Sequence, residues 1–124
     1  MTMHGCWRVV EMELWDLDAI ELMGPAFIEF GRDGDGRFRF IAVEGQMDCR
    51  HGSRDGRPFA EFTWEGWDDG DQVSGRGWAV QEEDGSLRGR IFFHLGDDSG
   101  FQAVRAGKEL SLEPASRTRL TSWV

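Results

Sequence analysis

The sequence predicts an all-β chain, a small antiparallel meander β-barrel of about eight strands with one short helix after the first strand. Three observations carry this. Glycine is frequent at 17 and proline rare at 3, while Phe and Trp supply every aromatic ring, a pairing that suits short strands joined by tight turns. Turn signals recur at even spacing: "RDGDG" from Arg32, "EGQ" from Glu44, "RDG" from Arg54, "GWDDGD" from Gly66, "EDG" from Glu83 and "LGDDSG" from Leu95. Between them, apolar and polar residues alternate with the period of a strand.

The expected strands are, in order, Cys6 to Trp15, Ala26 to Phe30, Arg37 to Val43, Met47 to Arg50, Phe59 to Trp64, Ser74 to Gln81, Leu87 to His94 and Phe101 to Arg105. The helical stretch is "WDLDAIELMGP". There Asp18 can cap with Glu21 three residues on, Leu17 and Ile20 share a face, and Gly24 with Pro25 ends the turn. The expected domain is a single barrel over 1–106. Residues 107–124 read as a C-terminal extension, with Leu110 and Leu112 in a candidate ninth strand before a loose tail.

Alternation sets the faces. Phe38 and Phe40 oppose Arg37 and Arg39; Phe62 and Trp64 oppose Glu61, Thr63 and Glu65; Leu87, Ile91 and Phe93 oppose Arg88 and Arg90. One side is core and the other wet, and closing the meander removes exposed edges. The strand from Ser74 differs, with Gly75, Gly77 and Ala79 on one side and Arg76, Trp78 and Val80 on the other. With Trp78 buried, Arg76 would point inward and need a carboxylate or carbonyl partner, which Asp68 or Asp71 in the loop before could supply. The glycine strip would then form an outer trough between Glu61, Thr63 and Glu65 on one bank and Arg88, Arg90, Phe92 and His94 on the other. Cross-strand ion pairs or a subunit contact are the preferred reading of that face, ahead of a ligand groove, and Phe92 tilts it toward a contact.

A chain of 124 residues suits one domain with its own core. A net charge of −9 repels nucleic-acid phosphates and anionic membrane surfaces, so neither is expected as a partner. "MTMHGCWRVV" has no basic segment leading into an apolar one, and no apolar run nears the roughly 20 residues of a membrane helix. A cytoplasmic location is expected, with Cys6 and Cys49 as buried thiols.

The stretch "HLGDDSG" concentrates His94, Asp97, Asp98 and Ser99. A hydrolase elbow needs Gly-x-Ser-x-Gly on a strand-to-helix turn, whereas Gly96 stands three residues before Ser99 and a strand follows. A turn shaped by Asp97, Asp98 and Ser99 bonding their own backbone is preferred, with His94 left as a group that titrates or binds. Asp68, Asp69 and Asp71 are weak candidates for a hard cation, as is "DGDG" from Asp33, but neither follows the calcium-loop spacing. Three scattered histidines and two cysteines give no zinc set. Glu61 and Glu65 have backbones about 13 Å apart, too far for a glycosidase pair; Glu11 and Glu13 read as adjacent acids on a wet sheet. The glycine clusters open no helix to cradle phosphates, and no cofactor is expected.

"GCW" at Gly5 to Trp7, with Arg105 ending the last clear strand, resembles the Gly-x-Trp and late-Arg signature of lipocalins and related calycin barrels. The resemblance implies that Trp7 closes one barrel end beneath Arg105 in a cation-π contact. The helix after Trp15 departs from lipocalin order. The segments "MELWD", "FRFIAVEG", "RDG", "EFTWEGWDDGD", "SGRGWAV" and "DGSLRGRIFFHLGDDSGFQA" also look like a family of small bacterial proteins of uncharacterised activity, which implies no site residues.

The functional expectation is a non-catalytic module that binds a small ligand or its own copies, with Glu61, Glu65, Arg88, Arg90, Phe92 and His94 as candidate contact residues and Trp7, Arg105, Arg76 and Trp78 as structural ones. The alternative is a small hydrolase- or isomerase-like enzyme using His94 with Asp97, Asp98 or a bank residue such as Glu61 or Arg90.

Overall fold

In a computed structural model, which describes residues 3–107, eight strands follow one another around a closed antiparallel barrel in chain order. They are β1 (Gly5–Met12), β2 (Phe27–Phe30), β3 (Asp35–Phe40), β4 (Val43–Arg54), β5 (Arg57–Asp68), β6 (Asp71–Gln81), β7 (Leu87–Phe93) and β8 (Asp98–Arg105), with a single turn of helix, α1 (Leu17–Ile20), between the first two. The eight-stranded meander is therefore as the sequence predicts. The barrel closes where β1 pairs with β8, from Trp7 opposite Arg105 to Met12 opposite Phe101, with a bulge between Val9 and Glu11. The candidate ninth strand at Leu110 and Leu112 lies outside the described residues, and closure does not need it.

Two hairpins follow directly from Asp-Gly pairs. Asp55 and Gly56 (φ 53° and 78°) join β4 to β5, and Asp69 and Gly70 (φ 51° and 93°) join β5 to β6. Two positive φ values in a two-residue loop match the right-handed twist of the strands. The "EGQ" turn does not exist: Glu44 to Gln46 lie inside β4, paired with β5 over twelve rungs. The chain instead reverses at Ile41 and Ala42, with Ile41 at φ 56°, a conformation a β-branched residue rarely adopts. Two contacts hold it there. The Ile41 N–H donates to the Ile20 carbonyl oxygen at 2.8 Å, and the side chain packs against the core.

The helix is also capped earlier than its acidic spacing suggests. Asp16, not Asp18, accepts from the Ala19 N–H at 2.9 Å, which satisfies an orphan amide of the first turn. Only Ile20 turns inward; Leu17 remains exposed.

The inward faces of the strands are those the alternation marks: Phe38, Phe40, Phe62, Trp64, Leu87 and Ile91 are all buried. The rings touch edge to face, Phe38 with Trp64 at 5.0 Å and Trp64 with Phe93 at 5.2 Å, within the range where such pairs attract. Room for them comes from glycine. In the register, Phe38 stands opposite Gly45, Phe62 opposite Gly77, Trp64 opposite Gly75 and Phe101 opposite Gly89, so four rings lie over strand positions that carry no side chain. Abundant glycine and abundant rings are one packing device seen twice.

Candidate functional site

The orientation of β6 decides where a ligand could sit, and it is the reverse of the buried-Trp78 expectation. Because Phe62 and Trp64 occupy the interior over this strand, only Gly75, Gly77 and Ala79 fit inward. Ala79 is fully buried, whereas Arg76 is exposed and Trp78 half-buried. Arg76 therefore needs no partner from Asp68 or Asp71, and the outer trough is filled. Across the outer face the register sets Thr63, Arg76 and Phe92 in one row and Glu61, Trp78 and Arg90 in the next. The interior is occupied by rings, and the grooves found among the described residues open outward.

Two grooves meet on this face. The larger, about 820 Å³, runs along β4 to β7 past Met47, Trp64, Arg76, Phe92, Phe93 and His94, with Asp48 and Glu65 at its sides. The smaller, about 300 Å³, holds Arg50, Arg54, Phe59, Glu61 and Trp78, and shares Asp48, Thr63, Arg76 and Phe92 with the first. Arginine and aromatic side chains interleave here. The Arg54 guanidinium lies 4.0 Å from the Phe59 ring centre and 5.6 Å from that of Trp78; Arg76 lies 4.4 Å from that of Phe92. Phe59 and Trp78 stack at 6.4 Å, 24° from parallel. In the groove wall, the buried Trp64 Nε1–H has no acceptor among the described residues. It faces Gly75, where a Cβ would lie 2.9 Å away.

The expected bank-to-bank ion pairs do not form. Glu61 and Glu65 pair with no cation among the described residues, and the arginines of β7 turn elsewhere. Arg88 meets Glu82 at 3.5 Å and lies over Trp78 at 5.3 Å. Arg90 binds Glu13 at 2.8 Å and also Asp98, while the Gly100 N–H donates to the same Glu13 carboxylate at 3.3 Å. These donors, the Gly100 amide first, hold the Glu13 carboxyl below its ordinary range.

The residues of "HLGDDSG" separate rather than converge. His94 is exposed at the groove mouth beside Leu95. Ser99 is buried, accepting from the Leu14 N–H at 3.3 Å and donating to the Gly100 carbonyl oxygen at 2.9 Å. Asp98 is tied to Arg90. The turn itself is closed by backbone bonds, Phe93 N–H to the Asp97 oxygen at 2.9 Å and Gly96 N–H to the Phe93 oxygen at 3.0 Å; of the three side chains expected to shape it, only Ser99 bonds nearby backbone. Asp68, Asp69 and Asp71 sit at the tip of the β5–β6 hairpin, and among the described residues no three His, Cys, Asp or Glu side chains gather as metal ligands. At the barrel end, Arg105 lies 4.0 Å from the centre of the buried Trp7 ring and donates to the His4 carbonyl oxygen. The Trp7 Nε1–H donates to the Met3 oxygen at 3.0 Å.

Sequence reasoning missed Arg50, Arg54 and Phe59. Their signal was parity: Arg50 and Arg54 continue the outward positions of Asp48, and Phe59 those of Glu61.

The fold and this face define an eight-stranded antiparallel meander barrel, compatible with a calycin-like fold, with an arginine and aromatic groove on its outer wall. Comparison with protein-family models, curated proteins and solved structures finds no match for the chain.

Proposed function

We propose that this protein is a non-catalytic binding module that holds a small molecule in the outer groove of β4 to β7. The observation that supports this is the groove itself. At about 820 Å³ it falls within the size range of small-ligand sites, and its lining sets apolar side chains such as Phe92 and Leu95 beside polar and charged ones such as Asp48, Thr63, Arg76 and His94. The enzyme alternative has weaker support: of its acids, Asp98 is tied to Arg90, and neither Asp97 nor Asp98 lines the groove. Two free thiols favour a reducing, cytoplasmic setting, and the segment likeness favours a bacterial source. No helix among the described residues is long and apolar enough to cross a membrane.

A fragment library screened by amide chemical-shift mapping tests the reading. Shifts should cluster at Thr63, Ser74, Arg76, Phe92 and His94; binders that leave these signals unmoved would refute it. A second reading, self-association, draws on Leu95 at the groove rim, 94% exposed, and Trp67, 56% exposed. It predicts a doubled mass in light scattering and concentration-dependent shifts at the same residues.

A further inference from the structure

We propose that the arginine end of the groove receives a small flat anion, an aromatic ring carrying a phosphate or carboxylate. The proposal rests on the binding reading above and narrows it to a ligand class.

Unused hydrogen-bond donors come first. Arg50, Arg54 and Arg76 line one groove of about 300 Å³, and among the described residues none of them forms an ion pair or donates a hydrogen bond. Arg8, Arg37, Arg57, Arg88 and Arg90, by contrast, each meet a carboxylate. Arg54 and Arg76 instead lie against the rings of Phe59 and Phe92. Such contacts engage the positive charge with π density and leave the N–H fork free for a carboxylate or phosphate.

Charge points the same way. The lining carries three guanidiniums against the carboxylates of Asp48 and Glu61, a local positive excess on a chain of net charge −9. A long polyanion would meet the repulsion of the whole surface, whereas a compact anion meets mainly the field within a Debye length. Interleaved rings and guanidiniums also favour a ligand that is flat as well as anionic, because the ligand's own ring can join the stack.

The test uses the full chain with 1-naphthyl phosphate and 1-naphthoate, against naphthalene-1-methanol, 1-naphthylmethylammonium and inorganic phosphate. Calorimetry gives affinities, and the arginine Hε and Trp78 indole signals give location. At least one aromatic anion should bind about tenfold or more tighter than the alcohol, the ammonium and inorganic phosphate, moving the Arg54, Arg76 and Trp78 signals; whichever anion is tighter assigns phosphate or carboxylate. The double variant R54Q/R76Q should lose about tenfold for that anion while keeping its melting temperature and its affinity for the alcohol. Equal binding of the alcohol or the ammonium in the groove would overturn the anion class and leave the binding reading standing. Should no probe reach the groove, the anion class is refuted, and the fragment screen separately decides the binding reading.

Discussion

Replacing Gly77 with alanine tests the packing of β6, on which the position of the groove depends. A Cβ at Gly77 would lie 2.5 and 2.6 Å from Phe62 ring carbons and 2.7 Å from the Arg90 carbonyl oxygen, about 1 Å inside ordinary carbon contact. Neither neighbour yields easily: Phe62 is buried and packs on Phe30 at 6.5 Å, and the carbonyl belongs to the strand backbone of β7. Overpacking of this kind costs about 1–3 kcal/mol. At roughly 4 °C per kcal/mol for a domain of this size, the melting temperature should fall by about 4 to 12 °C. Gly52→Ala is the control, since a Cβ there meets nothing within 4 Å, and it should be neutral or slightly stabilising. Phe62→Leu combined with Gly77→Ala should recover part of the loss, measured as a coupling in a double-mutant cycle. Were Gly77→Ala to melt with Gly52→Ala and the parent, the glycine strip would face solvent and the outer groove as described could not exist.

The remaining predictions concern the barrel ends and the titrating groups. Arg105→Met removes the cation over Trp7 and should cost about 0.5–2 kcal/mol in urea unfolding, with Arg105→Lys intermediate; an unchanged midpoint in both would show that the contact contributes nothing. Burial pushes the Cys6 and Cys49 thiols up to about 12, so at pH 8 the native protein should label slowly with a thiol reagent and the unfolded chain at both sites; rapid labelling of the native protein would contradict this. Burial first, then the neighbouring His4, lowers the His51 pKa below 6.5. The folded protein then binds fewer protons than the unfolded one as pH falls below 6.5 toward the lowered value, so stability should decline over that window. His4→Asn should raise the His51 value only in part, read from imidazole shifts, and a full return to 6.5 would make His4 the main cause.

Strand number, order and the inward faces of every strand but β6 were legible because each depends on a local rule. Period-two alternation marks Phe38, Phe40, Phe62 and Trp64 as inward whatever lies across from them, and Asp-Gly at 55–56 and 69–70 fixes two hairpins by backbone sterics alone. The features that were not legible depend on distant partners. Nothing in "FIAV" announces a reversal, and Ile41 holds its positive φ with support from Ile20, twenty-one positions earlier. The helix cap moved from Asp18 to Asp16 because both acids suit the role locally and only one meets the Ala19 amide.

The site was half legible for a related reason. A strand of glycine, arginine and tryptophan has two plausible insides, and its own alternation cannot choose between them. The choice falls to the neighbouring strand, whose Phe62 and Trp64 leave no inward space for Trp78. Arg54 stayed hidden because "HGSRDG" is polar enough to read as loop, although strand pairing carries β4 to Arg54; Arg50, at the end of an expected strand, has an outward partner only because β4 continues past it. Net charge obscured the rest. A total of −9 describes the field at a distance, but the carboxylates are distributed so that Glu13, Glu21, Glu29, Glu82 and Asp98 neutralise arginines elsewhere, leaving Arg50, Arg54 and Arg76 together with only Asp48 and Glu61 in the same groove. For a ligand a few ångströms long the local arrangement governs, so an acidic chain and an anion-receiving groove are compatible properties of one molecule.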